Sequence, residues 1–242
     1  MSAKWLEGRV VENRHWTDAL FSLRVEAPRI RFEAGQFVRI ALEENLARPF
    51  SFVNPPEDPV LEFYGIVVPE GPLSPRLARV RAGERLLVAT NPAGFLVLAE
   101  VPDAETLWLV STGTGIAPFL SILRTGTPWQ RFRNVVLVHA VRHARELVYQ
   151  DVIRNISKEH ALHTVTFVSR EAAAGSLAGR IPAAIRDGRL EGAARLKLNE
   201  RSQVMLCGNP DMLKDAAAAL AERGLRKHRR RAPGHITVES FW

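Results

Sequence analysis

Cysteine is almost missing from this chain. Cys207 is the only one in 242 residues, so the chain holds no internal disulfide, no four-cysteine zinc site and no iron–sulfur cluster of its own. Single-electron chemistry, if there is any, falls to an organic cofactor or a partner. Long apolar runs are missing too: no stretch approaches the ~18 residues of a membrane-spanning helix. Residues 1–7 carry no apolar core of a secretion signal. The expectation is a cytoplasmic protein with no membrane association. Seven histidines are present, but His160 and His163, three apart, have no carboxylate or cysteine pattern beside them, and no metal site is expected.

What is present is ordinary for a folded protein, with 46% hydrophobic and 24% charged residues. The length suits one large domain or two small ones and is ample for a buried core. Net charge is +7, and the excess is uneven. Arg223, Arg226, Lys227, Arg229, Arg230 and Arg231 crowd into nine residues. Such a run can be a solvated turn, a docking surface for an acidic protein or a nucleic-acid contact. No nucleic-acid fold signature or stacking motif accompanies it, so the acidic partner ranks above nucleic acid.

The first hundred residues read as β-structure. Phe21, Leu23 and Val25 alternate with Ser22 and Arg24, as in a half-buried strand. Residues 37–42, 61–68 and 86–88 are further strands, separated by breaks at 69–72 and 91–94. Short strands between turn signals predict a small antiparallel barrel. Residues 99–106 are polar and contain Pro102, and the domain boundary is placed there, giving domains 1–100 and 101–242. Beyond it, apolar runs at 107–110, 135–138, 165–168 and 204–207 alternate with helical segments near 118–124, 146–156, 181–186 and 211–223. Residues 235–239 supply a last strand. This alternation predicts a doubly wound α/β domain with a parallel sheet. Residues 186–201 are expected to be a polar surface excursion.

The rest is organised around residues 107–118, Leu-Trp-Leu-Val-Ser-Thr-Gly-Thr-Gly-Ile-Ala-Pro. They read as a buried strand, a glycine turn and a helix with proline in its first turn. Such a turn favours a pyrophosphate or merely allows tight packing. Pro118 stands where the dinucleotide fingerprint has its third glycine, so this stretch alone leaves both readings open. Ligands of a doubly wound sheet sit at the carboxyl ends of its strands. That places the loops 111–118, 169–170 and 208–210 on one edge.

Five motifs then occur in order: Arg48-Pro49-Phe50-Ser51, Gly71-Pro72-Leu73-Ser74, Thr112-Gly113-Thr114-Gly115-Ile116-Ala117-Pro118, Cys207-Gly208-Asn209-Pro210 and Val238-Glu239-Ser240-Phe241-Trp242. In order and approximate spacing the chain resembles the ferredoxin/flavodoxin–NADP⁺ reductases, most closely the compact bacterial type ending in an aromatic pair. The resemblance spans almost the whole chain. It implies an FAD-binding barrel, an NADP-binding domain, and hydride transfer between NADPH and FAD coupled to one-electron exchange with an acidic ferredoxin or flavodoxin. It also suggests a monomer.

Residue by residue, the resemblance gives Arg48 to the FAD pyrophosphate, a pairing that suits guanidinium geometry, with Pro49 beside it. Phe50 stands where the family usually has tyrosine; its ring can still stack on the flavin, but it lacks the hydroxyl. Tyr64, Gly65, Ile66 and Val67 match the strand along the flavin, and Pro72, Leu73 and Ser74 the loop that holds the pyrophosphate. Read without the family, Ser74 before Pro75 is a helix N-cap. Thr114, Phe241 and Trp242 are also assigned to FAD. For NADP the resemblance implies Gly113, Gly115, Cys207, Gly208 and Asn209, with Arg142, Ser169, Arg170 and Arg180 around the 2′-phosphate. Ser51, Cys207, Glu239 and Phe241 match the residues around the reacting rings. A sister flavin or quinone reductase needing no protein partner is the nearest rival reading. A basic nucleic-acid-binding module is the rival from a different class.

Overall fold

The computed structural model describes residues 4–240. Phe241 and Trp242, both expected at the flavin, lie outside the described residues. The chain falls into two compact units, one formed by Met1–Val97 with Ala117–Thr125 and the other by Leu98–Ile116 with Gly126–Trp242.

The first unit is a nearly closed antiparallel barrel. Its strands are β1 (Trp5–His15), β2 (Leu20–Glu26), β3 (Phe37–Ala41), β4 (Ala47–Ser51), β5 (Val60–Ile66) and β6 (Arg85–Ala89), in the order β4-β3-β6-β1-β2-β5. A short helix α1 (Ser74–Leu77) follows β5. Phe21, Leu23, Val25, Val38, Ile40, Phe52, Phe63, Leu86 and Val88 fill the interior. The alternating strands expected from sequence are all there, and two more join them. β1 escaped notice because a register shift between Val10 and Glu12 breaks its alternation. β4 escaped because it contains Pro49, which a strand tolerates at an end of the sheet, where β4 lies.

The second unit is a parallel sheet ordered β10-β9-β8-β7-β11-β12: β7 (Thr106–Thr112), β8 (Asn134–Val141), β9 (Leu162–Val168), β10 (Leu177–Ala178), β11 (Ser202–Gly208) and β12 (Ile236–Ser240). The chain runs outward from β7 to β10, then returns to place β11 against the other side of β7. This reversal makes the doubly wound fold, and its crevice opens at the carboxyl ends of β7 and β11. The helices are α2 (Ala117–Leu123), which belongs to the barrel unit, then α3 (Thr127–Arg131), α4 (Gln150–Glu159), α5 (Ile181–Arg186), α6 (Arg189–Ala194) and α7 (Pro210–Ala221). Val110, Val138, Phe167 and Leu206 form one apolar face of the sheet, covered by Ile181, Leu190, Leu213 and Leu220 from α5, α6 and α7.

Residues 186–201 are not the surface excursion expected. They hold α6, and Leu190, Ala194 and Leu198, four apart, join the buried core. Most of their polar neighbours face solvent, Glu191 being buried against Leu198 N–H and Arg223, so the helical period was there behind a polar average.

Candidate functional site

In the barrel, β4 pairs with β3 and presents its residues alternately. Phe50 lies opposite Val38, half-buried, and Ser51 lies opposite Phe37, buried. Arg48 and Pro49 are exposed, and the Arg48 guanidinium donates to its neighbour Ala47 O at 2.9 Å. The Phe50 ring meets Phe63 edge-on, with centroids 6.4 Å apart. Gly65 on β5 faces Phe21 across the ladder, and a Cβ there would stand 2.8 Å from Phe50 Cε1 and 2.9 Å from Phe21 Cζ. Only glycine leaves that floor open beside Phe50. Ser51 Oγ is buried with no hydrogen-bond partner among the described residues. Tyr64 is buried, whereas Ile66 and Val68 expose apolar surface at the end of β5. An aromatic ring beside an open glycine floor, a buried hydroxyl and an exposed guanidinium suit a flat ring system carrying a phosphate.

Ser74 does not cap α1. It is the first helical residue, after an N-cap at Leu73, and its Oγ accepts from Val68 N–H at 2.9 Å. The hydroxyl thus ties the end of β5 to the 72–74 segment. Phe95, 66% exposed on the loop after β6, is the most exposed large apolar residue of those described. Sequence reading missed it, because an aromatic after Ala93-Gly94 looks like the start of core.

In the sheet unit the glycine turn is a single 3₁₀ turn, Gly113–Ile116, at the carboxyl end of β7. Gly113 has φ +52°, a left-handed conformation open to glycine. A Cβ on Gly115 would lie 2.6 Å from Cys207 O, and one on Gly208 (φ +133°) 2.2 Å from Thr112 Oγ1 and 2.9 Å from Thr112 O. The ends of β7 and β11 therefore meet backbone to backbone. Thr112 Oγ1 accepts from Asn209 N–H at 3.0 Å, while the Asn209 side chain accepts from Asp211 and Met212 N–H and caps α7. Thr114 sits in the same turn, half-buried.

The register places Glu239, Cys207, Ser111, His139 and Thr166 in one row across β12, β11, β7, β8 and β9. Cys207 is fully buried; burial, with the Glu239 carboxylate beside it, pushes its thiol well above the usual range. It is a neutral thiol, not a nucleophile. His139, which sequence reading passed over, is 2% exposed and puts Nε2 3.1 Å from Gly113 O. Burial lowers its pKa to about 4, so the ring is neutral and Nε2–H donates to the turn. The residue gives no sequence signal, since a histidine inside an apolar run is only placed by register.

Arg142, Ser169 and Arg170 follow β8 and β9 and come together. Ser169 N–H and Oγ–H donate to Val141 O, and Arg170 N–H donates to Arg142 O at 2.9 Å. Arg180 is the N-cap of α5. All three arginines are exposed, and none has a side-chain ion pair among the described residues. The nearby carboxylates are engaged elsewhere. Glu146 accepts from Arg142 and His143 N–H, and Glu171 accepts from Ala144 N–H at 2.7 Å. The Ala144 N–H, and after it the His143 side chain, hold the Glu171 carboxyl below its ordinary range. Three guanidinium groups without counter-ions at a strand edge suit a doubly charged anion. The basic C-terminal run is partly committed: Arg223 pairs with Glu191 and Arg230 with Glu100. Among the described residues no His/Cys/Asp/Glu cluster could hold a metal, and no helix is long and apolar enough to cross a membrane.

Residues 109–218 match the oxidoreductase NAD-binding domain family. The chain is 52% identical to a flavodoxin/ferredoxin–NADP reductase of Shigella flexneri over 99% of its length and 100% of that protein. It is 37% identical to a ferredoxin–NADP reductase of Pseudomonas aeruginosa, over 96% of its length and 95% of that protein. Among solved structures, a ferredoxin–NADP⁺ reductase from Neisseria gonorrhoeae with bound FAD and NADP is similar with a TM-score of 0.94 at 34% identity, covering 99% of this chain and 100% of that one. At this identity and coverage, the chain belongs to the flavodoxin/ferredoxin–NADP reductase family.

Proposed function

We propose that this protein is an FAD-dependent flavodoxin/ferredoxin–NADP⁺ reductase. It transfers a hydride between NADPH and FAD and exchanges single electrons with ferredoxin or flavodoxin. The observation that carries this reading is the whole-chain likeness to a structure holding both nucleotides. FAD, when bound, supplies the chemistry that joins a two-electron donor to one-electron partners. The chain supplies binding, orientation and charge.

On this reading residues 1–100 bind FAD and residues 101–242 bind NADP(H). Phe50 and Gly65 flank the flavin ring with Tyr64, Ile66 and Val67, and the hydroxyl of Ser51 is available to it. Arg48 and Pro49, with Pro72, Leu73 and Ser74, hold the diphosphate. Gly113, Gly115, Gly208 and Asn209 let the NADP diphosphate approach the backbone at the crevice. Arg142, Ser169, Arg170 and Arg180 take the 2′-phosphate, supported by the lack of counter-ions around the three arginines. Cys207 and Glu239, adjacent in register, border the nicotinamide. Thr114 is given to FAD, as are Phe241 and Trp242, with Phe241 over the flavin. The partner is acidic, in keeping with the net charge of +7 and with exposed Arg226, Lys227, Arg229 and Arg231. The protein works as a cytoplasmic monomer.

Anaerobic titration of the purified protein with NADPH and then NADH, followed by visible absorbance, tests the reading. A yellow protein bleached by near-stoichiometric NADPH, and poorly by NADH, is expected, with reduction of added ferredoxin or flavodoxin. A colourless protein that takes up no added FAD would overturn it. A yellow protein that prefers NADH would remove the roles given to Arg142, Arg170 and Arg180.

A further inference from the structure

β1 turns two polar side chains, half-buried Asn13 and exposed His15 at the strand's end, toward the face of its core-lining partners. Before the register shift, Val10 pairs with Val25; after it, Asn13 pairs with Leu23 and His15 with Phe21. Val25, Leu23 and Phe21 are all core residues, and cross-strand partners point to the same face. The bulge between Val10 and Glu12 therefore turns Asn13 and His15 to the inner face and sends Glu12 and Arg14 outward. Had the strand continued without it, Glu12 and Arg14 would face inward.

Both inward side chains are used on one target. Asn13 Nδ2 donates to Leu77 O (3.3 Å), Ala78 O (3.0 Å) and Val80 O (2.7 Å), and His15 Nε2 lies 2.8 Å from Ala78 O. These carbonyls belong to the end of α1 and the turn after it. Asn13 Oδ1 is buried without a partner among the described residues. The site thus selects for the amide's donor rather than its acceptor. An isolated helix of four residues does not hold its shape, because nucleation costs more than so few hydrogen bonds return. α1 has no side-chain N-cap. What fixes it is external: burial of Leu73, Leu77, Ala78 and Val80 in the barrel core, the Val68–Ser74 bond on its entry side and the Asn13–His15 clamp on its exit.

We propose that Asn13 and His15 are positioning residues for the FAD diphosphate, acting through α1 on the 72–74 segment. This rests on the assignment of Pro72, Leu73 and Ser74 to that diphosphate. The bulge in β1 is the device that aims them. Neither side chain needs to touch the cofactor.

The test uses the apoprotein, titrated separately with FAD and with riboflavin, which has the same ring but no diphosphate. Amide hydrogen exchange over residues 68–80 and thermal unfolding are measured in parallel. Asn13→Ala and Asn13→Asp should raise the FAD dissociation constant about tenfold or more and speed exchange in 68–80. Riboflavin affinity and the melting temperature should stay close to wild type. His15→Phe should follow the same pattern more weakly, and His15→Gln, which keeps an N–H donor, should restore FAD binding. Equal weakening of FAD and riboflavin would make the pair merely structural and overturn the proposal, as would unchanged FAD affinity. If Asn13→Ala does not fold, exposed His15 carries the test through the Phe and Gln pair. If exchange in 68–80 responds but the wild type binds no FAD, the flavin assignment fails while the clamp stands.

Discussion

The barrel and the parallel sheet present their candidate residues by different means. At the sheet's carboxyl edge the close approaches are to main chain: Gly115 against Cys207 O, and Gly208 against the Thr112 backbone, with the Thr112 hydroxyl in front of it. Parallel register alone brings them there, and the side chains added to the edge are bare arginines. In the barrel the corresponding approach is side chain on a glycine, with the Phe50 ring tip beside Gly65. The 74–80 segment that follows the loop expected at the diphosphate is bonded by Asn13 and His15 at its far end and by the Val68–Ser74 contact at its near end. A backbone-built site cannot yield when a Cβ is added, whereas a ring or a clamped loop can shift.

That contrast can be broken by substitution, and the largest effect is expected at the sheet crevice. Gly208→Ala puts a Cβ on Thr112 Oγ1 and its backbone in a conformation alanine rarely adopts. A loss of about 3 kcal/mol or more in stability is expected, with NADPH affinity lost alongside. Thermal unfolding and NADPH titration would show it, and a well-folded variant with normal NADPH binding would refute the backbone account.

Nearly as large is a pH effect at His139. Its pKa is lowered from 6.5 to about 4 by burial, so between those values the unfolded chain takes up a proton that the folded chain refuses. Stability is then complete above about pH 6.5 and falls by about 3 kcal/mol as pH drops to about 4. His139→Gln should flatten that segment of a denaturation-versus-pH curve; an unchanged curve would assign the acid loss to other groups.

Arg170→Ala, and separately Arg142→Ala, should each remove about 1.5–3 kcal/mol of binding to the 2′-phosphate. That lowers kcat/KM for NADPH by roughly ten- to a hundredfold and leaves NADH unchanged. A matching loss with NADH would place these arginines away from the 2′-phosphate.

In the barrel the effects should be smaller. Gly65→Ala should displace Phe50 and weaken FAD binding by about 1–2 kcal/mol with the fold intact. The smallest effect is a gain: Phe50→Tyr, restoring the hydroxyl usual in the family, should tighten FAD by about 1 kcal/mol, read as slower flavin release.

The alternation of Phe21, Leu23 and Val25 and the apolar runs at 107–110, 135–138, 165–168 and 204–207 disclosed both sheets, because burial of one or both faces is written directly into residue order. The glycine turn and its companion loops, 169–170 and 208–210, were legible for the same reason: carboxyl ends of parallel strands share one edge. Arg142 and Arg180 were singled out by the family resemblance alone. β1 and β4 were not, since a bulge and a proline erase the two-residue period. α6 was hidden by its exposed polar face.

What the sequence determined by itself was therefore the two kinds of sheet and the loops that crown the parallel one. What only tertiary structure decided was which side chains support the glycine turn of the sheet and the short helix of the barrel. His139 reaches Gly113 because β8 lies beside β7 in that register. Asn13 and His15 reach α1 because one extra residue in β1 reverses their facing. Ser74 bonds Val68 rather than capping a helix. Each depends on a contact across many residues of chain, or on a single-residue shift of register, and neither leaves a period for the sequence to show.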